Sequence, residues 1–365
     1  MDAIEFQRPA TPGLVSIVMP TRGGARLIGD TLATIGSQTY REWELIVVED
    51  GSNDGAREIV ARFAEQHPNN RVDYSRNERS YGAAYSRNVA FAKCAGEFVA
   101  LLDSDDRWLP EHLARAVAAL RKCDAEIVYS TVLMVEDKTE IPLGIWGPSH
   151  IEMYDFPQSL FGRSFVTPSA TVLRRHVLSD VGPWSTAHKY CEDFDFWLRC
   201  VEAGKKFHCL GGCTCFYRKN HAGATTTKIC GTLEEVAQTT ERYMHMAGMR
   251  PKTCRKYAAK AYLLAAQMHA TVDQKCDPSA DPARAGQLML KGWRLRPKRL
   301  KYLFRGLWWS LRSKWKNYPA AAIAPPTISA LTPKAVATPR PTATAPGPAK
   351  LPAGPRAAQS TAKAA

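Results

Sequence analysis

The sequence predicts an α/β protein built on a mainly parallel sheet with covering helices, followed by a helical, basic C-terminal region. Three observations predict it. Over the first hundred residues, short β-branched apolar runs alternate with stretches whose apolar residues recur at helical spacing. Two of those runs, "ELIVVED" (44–50) and "GEFVALLD" (96–103), end on carboxylates, at the strand ends where parallel sheets bind ligands. Charge is also divided along the chain. Asp281 is the last acidic residue, and 16 of the 49 Lys and Arg lie from Arg284 onward. The part before them holds 33 basic against 35 acidic residues, so the net charge of +14 belongs to the tail.

Each element follows from local chemistry. "LVSIVMP" (14–20) is apolar, β-branched and closed by proline, as a buried strand requires. In 25–38, Leu27, Ile28, Thr31, Leu32 and Ile35 share one helical face. "ELIVVED" is the second strand, "GSNDG" a turn, and Asp54 is placed to cap the helix over 56–66. "RVDYSR" (71–76), "AAYSRNVAFAKC" (83–94) and "GEFVALLD" complete a strand, helix, strand series. Beyond about residue 125 the pattern is mixed, with strands expected at 125–135, 169–175 and 213–219 and a helix over 194–204. Leu233 to Tyr318 reads as mostly helical, and 319–365, rich in Ala, Pro and Thr, as disordered.

The 45% hydrophobic and 23% charged composition is that of a protein with a substantial core. The N-terminus lacks the basic start and apolar run of a signal peptide, and no stretch approaches the ~20 apolar residues of a membrane span. A cytoplasmic location is therefore expected, with the ten cysteines reduced. "CLGGCTC" (209–215) lacks the paired knuckles of a zinc site, which favours strand packing for Cys209, Cys213 and Cys215.

The stretch "LLDSDDRWLP" (101–110) raises a question of charge. Asp103, Asp105 and Asp106 repel one another, the more so if buried. Helix capping before Pro110 accounts for one of them at most. A hard divalent cation, Mg2+ or Mn2+, accounts for all three, since it takes one or two carboxylates and fills its other positions with phosphate oxygens.

The ordered set "VSIVMPT", "SQTYREWELIVVEDGSNDG", "NERSYGAAYSRNVAFAKCAGEFVALLDSDDRWLP", "SATVLRRHVLSDVGPW", "CEDFDFWLRCVEAGKKF" and "FYRKNHAG" resembles the family-2 glycosyltransferases of GT-A fold across residues 14–223. The resemblance implies an inverting transferase that uses a nucleoside-diphosphate sugar, a UDP-sugar by preference, as donor. It implies a glycan or lipid-linked acceptor and a divalent cation. It divides the chain into an N-terminal lead (1–13), a catalytic domain (14–231), a helical extension (232–318) and a tail (319–365).

Roles carry over residue by residue. "DSD" (103–105) matches the D-x-D signature: Asp103 faces the ribose, Ser104 lies among the donor contacts, and Asp105 holds the cation, with Asp106 a substitute for either. Asp50 reads the base, and Pro20 and Thr21 line its pocket. Arg87 supplies a cation near the nucleotide, unless it is a surface charge. Arg218 contacts the diphosphate and His221 completes or closes over the metal site. In "CEDFDFWLRC", Asp193 is the catalytic base, Glu192 orients the acceptor, and Asp195 is the candidate helix cap. Trp184 either stacks on a sugar or packs in the core. The chain departs from the pattern at Glu49, where Asp is commoner. It departs again at "PTRGGAR", which puts Arg22 where an aromatic ring often stands. It carries no Q-x-x-R-W processive signature, which implies single addition. A nucleotidyltransferase, or a non-catalytic glycan- or membrane-binding relative, is the alternative class.

In "RLRPKRLKYLFRGLWWSLRSKWKN" (294–317), Leu300, Leu303, Phe304, Leu307, Trp308, Leu311 and Trp315 recur at helical spacing, with Lys and Arg assigned to the opposite side. A helix lying on an anionic membrane surface has this composition, placing the enzyme peripherally on the cytoplasmic leaflet. Packing on the catalytic domain is the competing reading. Nucleic acid is not expected as a partner, because no reader fold accompanies the charge.

Overall fold

In a computed structural model describing residues 4–220, 228–246 and 248–312, the first half alternates as the sequence predicts. β1 (Thr11–Thr21), α1 (Ala25–Gly36), β2 (Trp43–Glu49), α2 (Ala56–Gln66), β3 (Val72–Arg76), α3 (Ala83–Lys93) and β4 (Gly96–Leu101) follow one another. β5 (Arg107–Trp108), α4 (His112–Lys122), β6 (Ile127–Glu136), β7 (Pro142–Trp146), α5 (His150–Tyr154), β8 (Thr171–Arg174), α6 (His176–Val181), α7 (Glu192–Glu202) and β9 (Phe207–Lys219) form the second half. Four helices close the described chain: α8 (Ile229–Tyr243), α9 (Pro251–Thr271), α10 (Pro282–Leu295) and α11 (Leu300–Arg312).

All nine strands join one sheet in the order β3-β2-β1-β4-β8-β6-β9-β5, with β7 beside β6. β3, β2, β1 and β4 are parallel, and β8 then runs antiparallel to both β4 and β6. Successive strands build outward from β1 in one direction, and β4 then starts the other. That reversal opens a crevice at the carboxyl ends of β1 and β4, where Thr21 and Asp103 stand.

Strand alternation sends side chains to both faces, and helices cover both. On one face Val18, Ile46, Val48, Val99 and Leu101 pack against α3 and against Phe194, Phe196, Trp197 and Leu198 of α7. On the other, Ile17, Met19, Leu45, Val47 and Leu102 meet Ile28, Leu32 and Ile35 of α1, Val60 and Phe63 of α2, and Leu113 and Val117 of α4. Each such fully buried side chain contributes roughly 1.5–3 kcal/mol of transfer free energy. Asp54 accepts from Ala56 N at the start of α2, as read from the sequence, and from Ala25 N at the start of α1.

Three features differ from the sequence reading. α7 begins at Glu192 rather than 194, which puts Glu192 and Asp193 in its first turn, where the helix dipole favours anions. The division expected at residue 231 falls inside α8, and Met246, Met249 and Cys254 beyond it join the same core as the sheet. β7 and α5 appear where no element was read. Cys209, Cys213 and Cys215 lie in β9. Among the described residues, the groups close enough to share an ion lie elsewhere. No helix of the described residues is long and apolar enough to cross a membrane.

Candidate active site

The crevice between β1 and β4 is walled by glycine-permitted close approaches. A Cβ on Gly24 would meet Thr21 Oγ1 at 2.4 Å and Ser104 Oγ at 3.0 Å, so the turn after β1 presses directly on both residues. Thr21 Oγ1 is buried and has no hydrogen-bond partner among the described residues, and Thr21 O accepts from Asp50 N at 2.8 Å. Pro20 lies buried in β1 opposite Val48. Ser104 is buried too, its carbonyl accepting from Thr31 Oγ1 at 3.0 Å. Gly51 has φ +71°, and a Cβ there would meet the backbone of Arg79 and Ser80 at 2.4 Å, so the segment before α3 folds down onto the end of β2.

Asp50 holds that segment. Its carboxylate accepts from Ser80 Oγ (2.6 Å), Tyr81 N (2.8 Å), Gly82 N (2.9 Å), Asn77 Nδ2 (3.1 Å) and Ser86 Oγ (3.3 Å). Burial by itself would raise its pKa; these donors overcome burial and hold it below the usual carboxylate value. The expectation that Asp50 reads a base meets a carboxylate already serving five donors. Its first task is to shape the rim. Glu49 likewise turns inward, accepting from Ser52 Oγ at 2.7 Å and from the Tyr74 hydroxyl. Arg22 is exposed.

Arg87 is not a surface charge. It is buried in α3, with Nη2 2.5 Å from Asp103 Oδ1 and Nη1 3.2 Å from Glu192 Oε1. Its guanidinium also lies over the Trp184 ring, 4.6 Å from the centroid. Trp184 is 1% exposed and packs on Phe91, Phe196 and Trp197, which resolves its reading in favour of the core. Asn88, the next residue of "SRN", brackets the Trp184 backbone through N–H and C=O bonds of 2.8 Å each. Sequence reasoning passed over Asn88, although its place beside Arg87 was a signal.

The D-x-D acids are unequal. Asp103 is part-exposed, its N–H donating to Ser169 Oγ at 3.1 Å. Burial raises its pKa, Arg87 opposes this, and Asp105 adds to it. Asp106 is wholly buried and accepts from Arg218 N at 2.9 Å. Burial, then the Asp105 and Asp103 charges, hold its carboxyl well above the usual range. Its Oδ2 makes no well-formed hydrogen bond, though the Ser169 hydroxyl eases the burial. The carboxylates of Asp103, Asp105 and Asp106 offer the oxygen chemistry that a hard divalent cation takes, although as the side chains stand their oxygens are not gathered within reach of one ion.

Arg218 departs from its expected role. The guanidinium directed by the resemblance to a diphosphate is committed to Asp137 (3.2 Å), Asp30 (3.3 Å) and Glu140 (3.4 Å), and Nε donates to the Asp105 carbonyl at 3.0 Å. It clamps the acidic loop from behind. His221 lies outside the described residues.

At the other end of Arg87, α7 offers Glu192 and Asp193. Asp193 Oδ1 accepts from Phe194 N at 2.7 Å. Burial, then the Glu192 charge, push Asp193 up to about 7, against the pull of the Phe194 N–H and Arg87. Asp193 is partly exposed, with a second acid, Glu192, beside it in the first turn of α7. Asp195 is not the helix cap. It is buried in the fourth position of α7 and accepts from Arg199 Nε and the Tyr243 hydroxyl, both at 3.0 Å, with His188 Nε2 at 3.3 Å.

With that geometry in view, residues 16–182 match the pattern of Glycosyl transferase family 2. The chain is 29% identical over 185 residues to UDP-Glc:alpha-D-GlcNAc-diphosphoundecaprenol beta-1,3-glucosyltransferase WfgD of Escherichia coli, covering 51% of this chain and 68% of that one. It is 33% identical over 145 residues to the putative teichuronic acid biosynthesis glycosyltransferase TuaG of Bacillus subtilis, covering 39% of this chain and only 56% of TuaG. In fold it resembles residues 1–349 of TarS from S. aureus in complex with UDP-GlcNAc, with a TM-score of 0.59, 18% identity, and coverage of 84% and 93%. It also resembles the mannosyltransferase PcManGT of Pyrobaculum calidifontis in complex with GDP-Man and Mn2+, with a TM-score of 0.52, 19% identity, and coverage of 86% and 90%. The chain therefore has the GT-A fold expected from its sequence.

Proposed function

We propose that the protein transfers one hexosyl or N-acetylhexosaminyl residue from a UDP-sugar to a hydroxyl of a lipid-linked or glycan acceptor, with inversion at the anomeric carbon. The observation that carries the reading is Arg87, one guanidinium paired with both Asp103 on the donor side and Glu192 on the acceptor side. It brings the D-x-D loop and the base-bearing helix, 89 positions apart in sequence, to a single cation. WfgD, named as a UDP-glucose enzyme acting on an undecaprenyl diphosphate acceptor, and the UDP-GlcNAc bound by TarS favour this donor and acceptor class.

In this reading Asp193, already raised to about 7, takes the proton of the acceptor hydroxyl. The freed oxygen pair forms the new bond to the anomeric carbon as the bond from that carbon to the diphosphate breaks, its electrons leaving with UDP. Glu192, held by Arg87, orients the acceptor. Asp105 and Asp103 would hold Mn2+ or Mg2+, which when bound stabilises negative charge on the diphosphate. Thr21 and the segment fixed by Asp50 frame the nucleoside.

The test is UDP release from UDP-glucose and UDP-N-acetylglucosamine with Mn2+ or with EDTA, parent against Asp193→Asn. Cation-dependent UDP release that falls by ~10²–10⁴-fold in the variant supports the reading. Pyrophosphate release from a nucleoside triphosphate would identify a nucleotidyltransferase instead.

A further inference from the structure

We propose that α11 docks the protein on an anionic lipid surface, with Leu300, Phe304, Leu307 and Trp308 immersed at the headgroup boundary. These four side chains are 56%, 65%, 45% and 52% exposed, and their spacing of i, i+4, i+7 and i+8 puts them on one side of the helix. The sequence reading left open whether this stripe packs on the body, and it assigned the cations to the opposite side. The structure answers otherwise. The opposite side is the one that packs: Tyr302 and Trp309 join the small core formed by α8, α9 and α10. Close approaches fix the contact. A Cβ on Gly286 would meet Ser310 Oγ at 2.2 Å, and one on Gly306 would meet Leu290 at 3.1 Å. The helix is thus fastened by one face and presents its other, apolar face outward.

Charge selects the occupant. Arg305 flanks the stripe and is exposed, as are Arg294, Lys298 and Arg299 in and just before the turn that leads into α11. No acidic residue follows Asp281 to oppose them. An apolar stripe carrying a tryptophan, bordered by cations, matches the two chemistries of a lipid interface, acyl boundary and anionic headgroup. A nucleic acid would satisfy the cations and leave four large apolar groups in water. A second copy seated on the stripe would bring two basic flanks together.

The experiment needs no sugar transfer, so its failure and the failure of the transferase reading are separable. The full chain is floated with vesicles of phosphatidylglycerol and phosphatidylcholine, and with phosphatidylcholine alone. The expected result is flotation with the anionic vesicles, weakened by salt, and at least ~10-fold loss of bound protein in the Phe304→Glu/Trp308→Glu double variant. Because Trp308 also packs edge-on against Trp309, 5.1 Å between centroids, a Phe304→Glu/Leu307→Glu variant is floated beside it, and the loss of binding is expected in both while each keeps the parent's UDP release. Arg299→Glu/Arg305→Glu removes the preference for anionic over neutral vesicles. No flotation of the parent, equal flotation of parent and apolar-face variant, or a dimer that dissolves on the same substitutions overturns the proposal.

Discussion

Arg87 and Glu192 lie 105 residues apart in the chain and 3.2 Å apart in space. The same guanidinium reaches Asp103 at 2.5 Å, so an acid at the end of β4 and an acid of α7 share one counter-charge. Arg87→Met is therefore expected to do two things at once. Removing the partner of two half-buried carboxylates costs about 2–4 kcal/mol of stability, read as a lower urea midpoint. Because Arg87 holds the Asp193 pKa down, its loss moves the acid limb of the rate profile to higher pH. Arg87→Lys keeps the charge and loses the fork, so it restores stability more than turnover.

The proposed role of Asp193 as base sets an expectation for the parent's own profile. A base works only when deprotonated, and burial places its pKa at about 7. The rate is expected to fall about tenfold for each pH unit below 7 and to level off about one unit above it. In Asp193→Asn that limb disappears. A flat profile between pH 5 and 7 in the parent would remove Asp193 from the role.

Asp50 predicts an effect of opposite sign. Its donors hold its folded pKa below the usual carboxylate value, so the stability it contributes is full above that usual value and is lost as pH falls through the folded one. Asp50→Ala strands the donors of residues 77–86 and is expected to cost about 2–3 kcal/mol and to weaken UDP binding. Calorimetric titration with UDP measures the second effect, and acid unfolding curves of parent and Asp50→Asn measure the first.

Trp184 separates packing from recognition. Trp184→Ala is expected to lose about 3–5 kcal/mol, because the ring is buried against Phe91, Phe196 and Trp197. Trp184→Phe should keep most of the stability and lose part of the Arg87 contact. A raised KM for acceptor with an unchanged melting point would point instead to a sugar platform.

The parallel half of the fold was legible because β1, β2 and β4 are largely apolar runs, and the acids at 50 and 103 fall where such runs stop. What could not be read is whatever depends on a partner far along the chain. Asp195 looks like a cap until Tyr243 and His188 arrive to bury it. Arg218 looks like a free cation until Asp30, Asp137 and Glu140 surround it. Asp50, in the right place for a base contact, is claimed by donors whose approach depends on the absence of a side chain at Gly51. The amphipathic stretch at 300–312 was visible, but which of its sides faces the body depends on Gly286 and Gly306.

The hydroxyl of Tyr243 on α8 reaches Asp195, two residues past Asp193 on α7. The segment matching the family pattern stops at residue 182, before either helix, so this tie between α7 and α8 is supplied by parts of the chain that pattern does not describe. A chimera that grafted foreign C-terminal helices onto this sheet would have to bring a phenol of its own to that carboxylate, or leave a buried acid of α7 short of one of its donors.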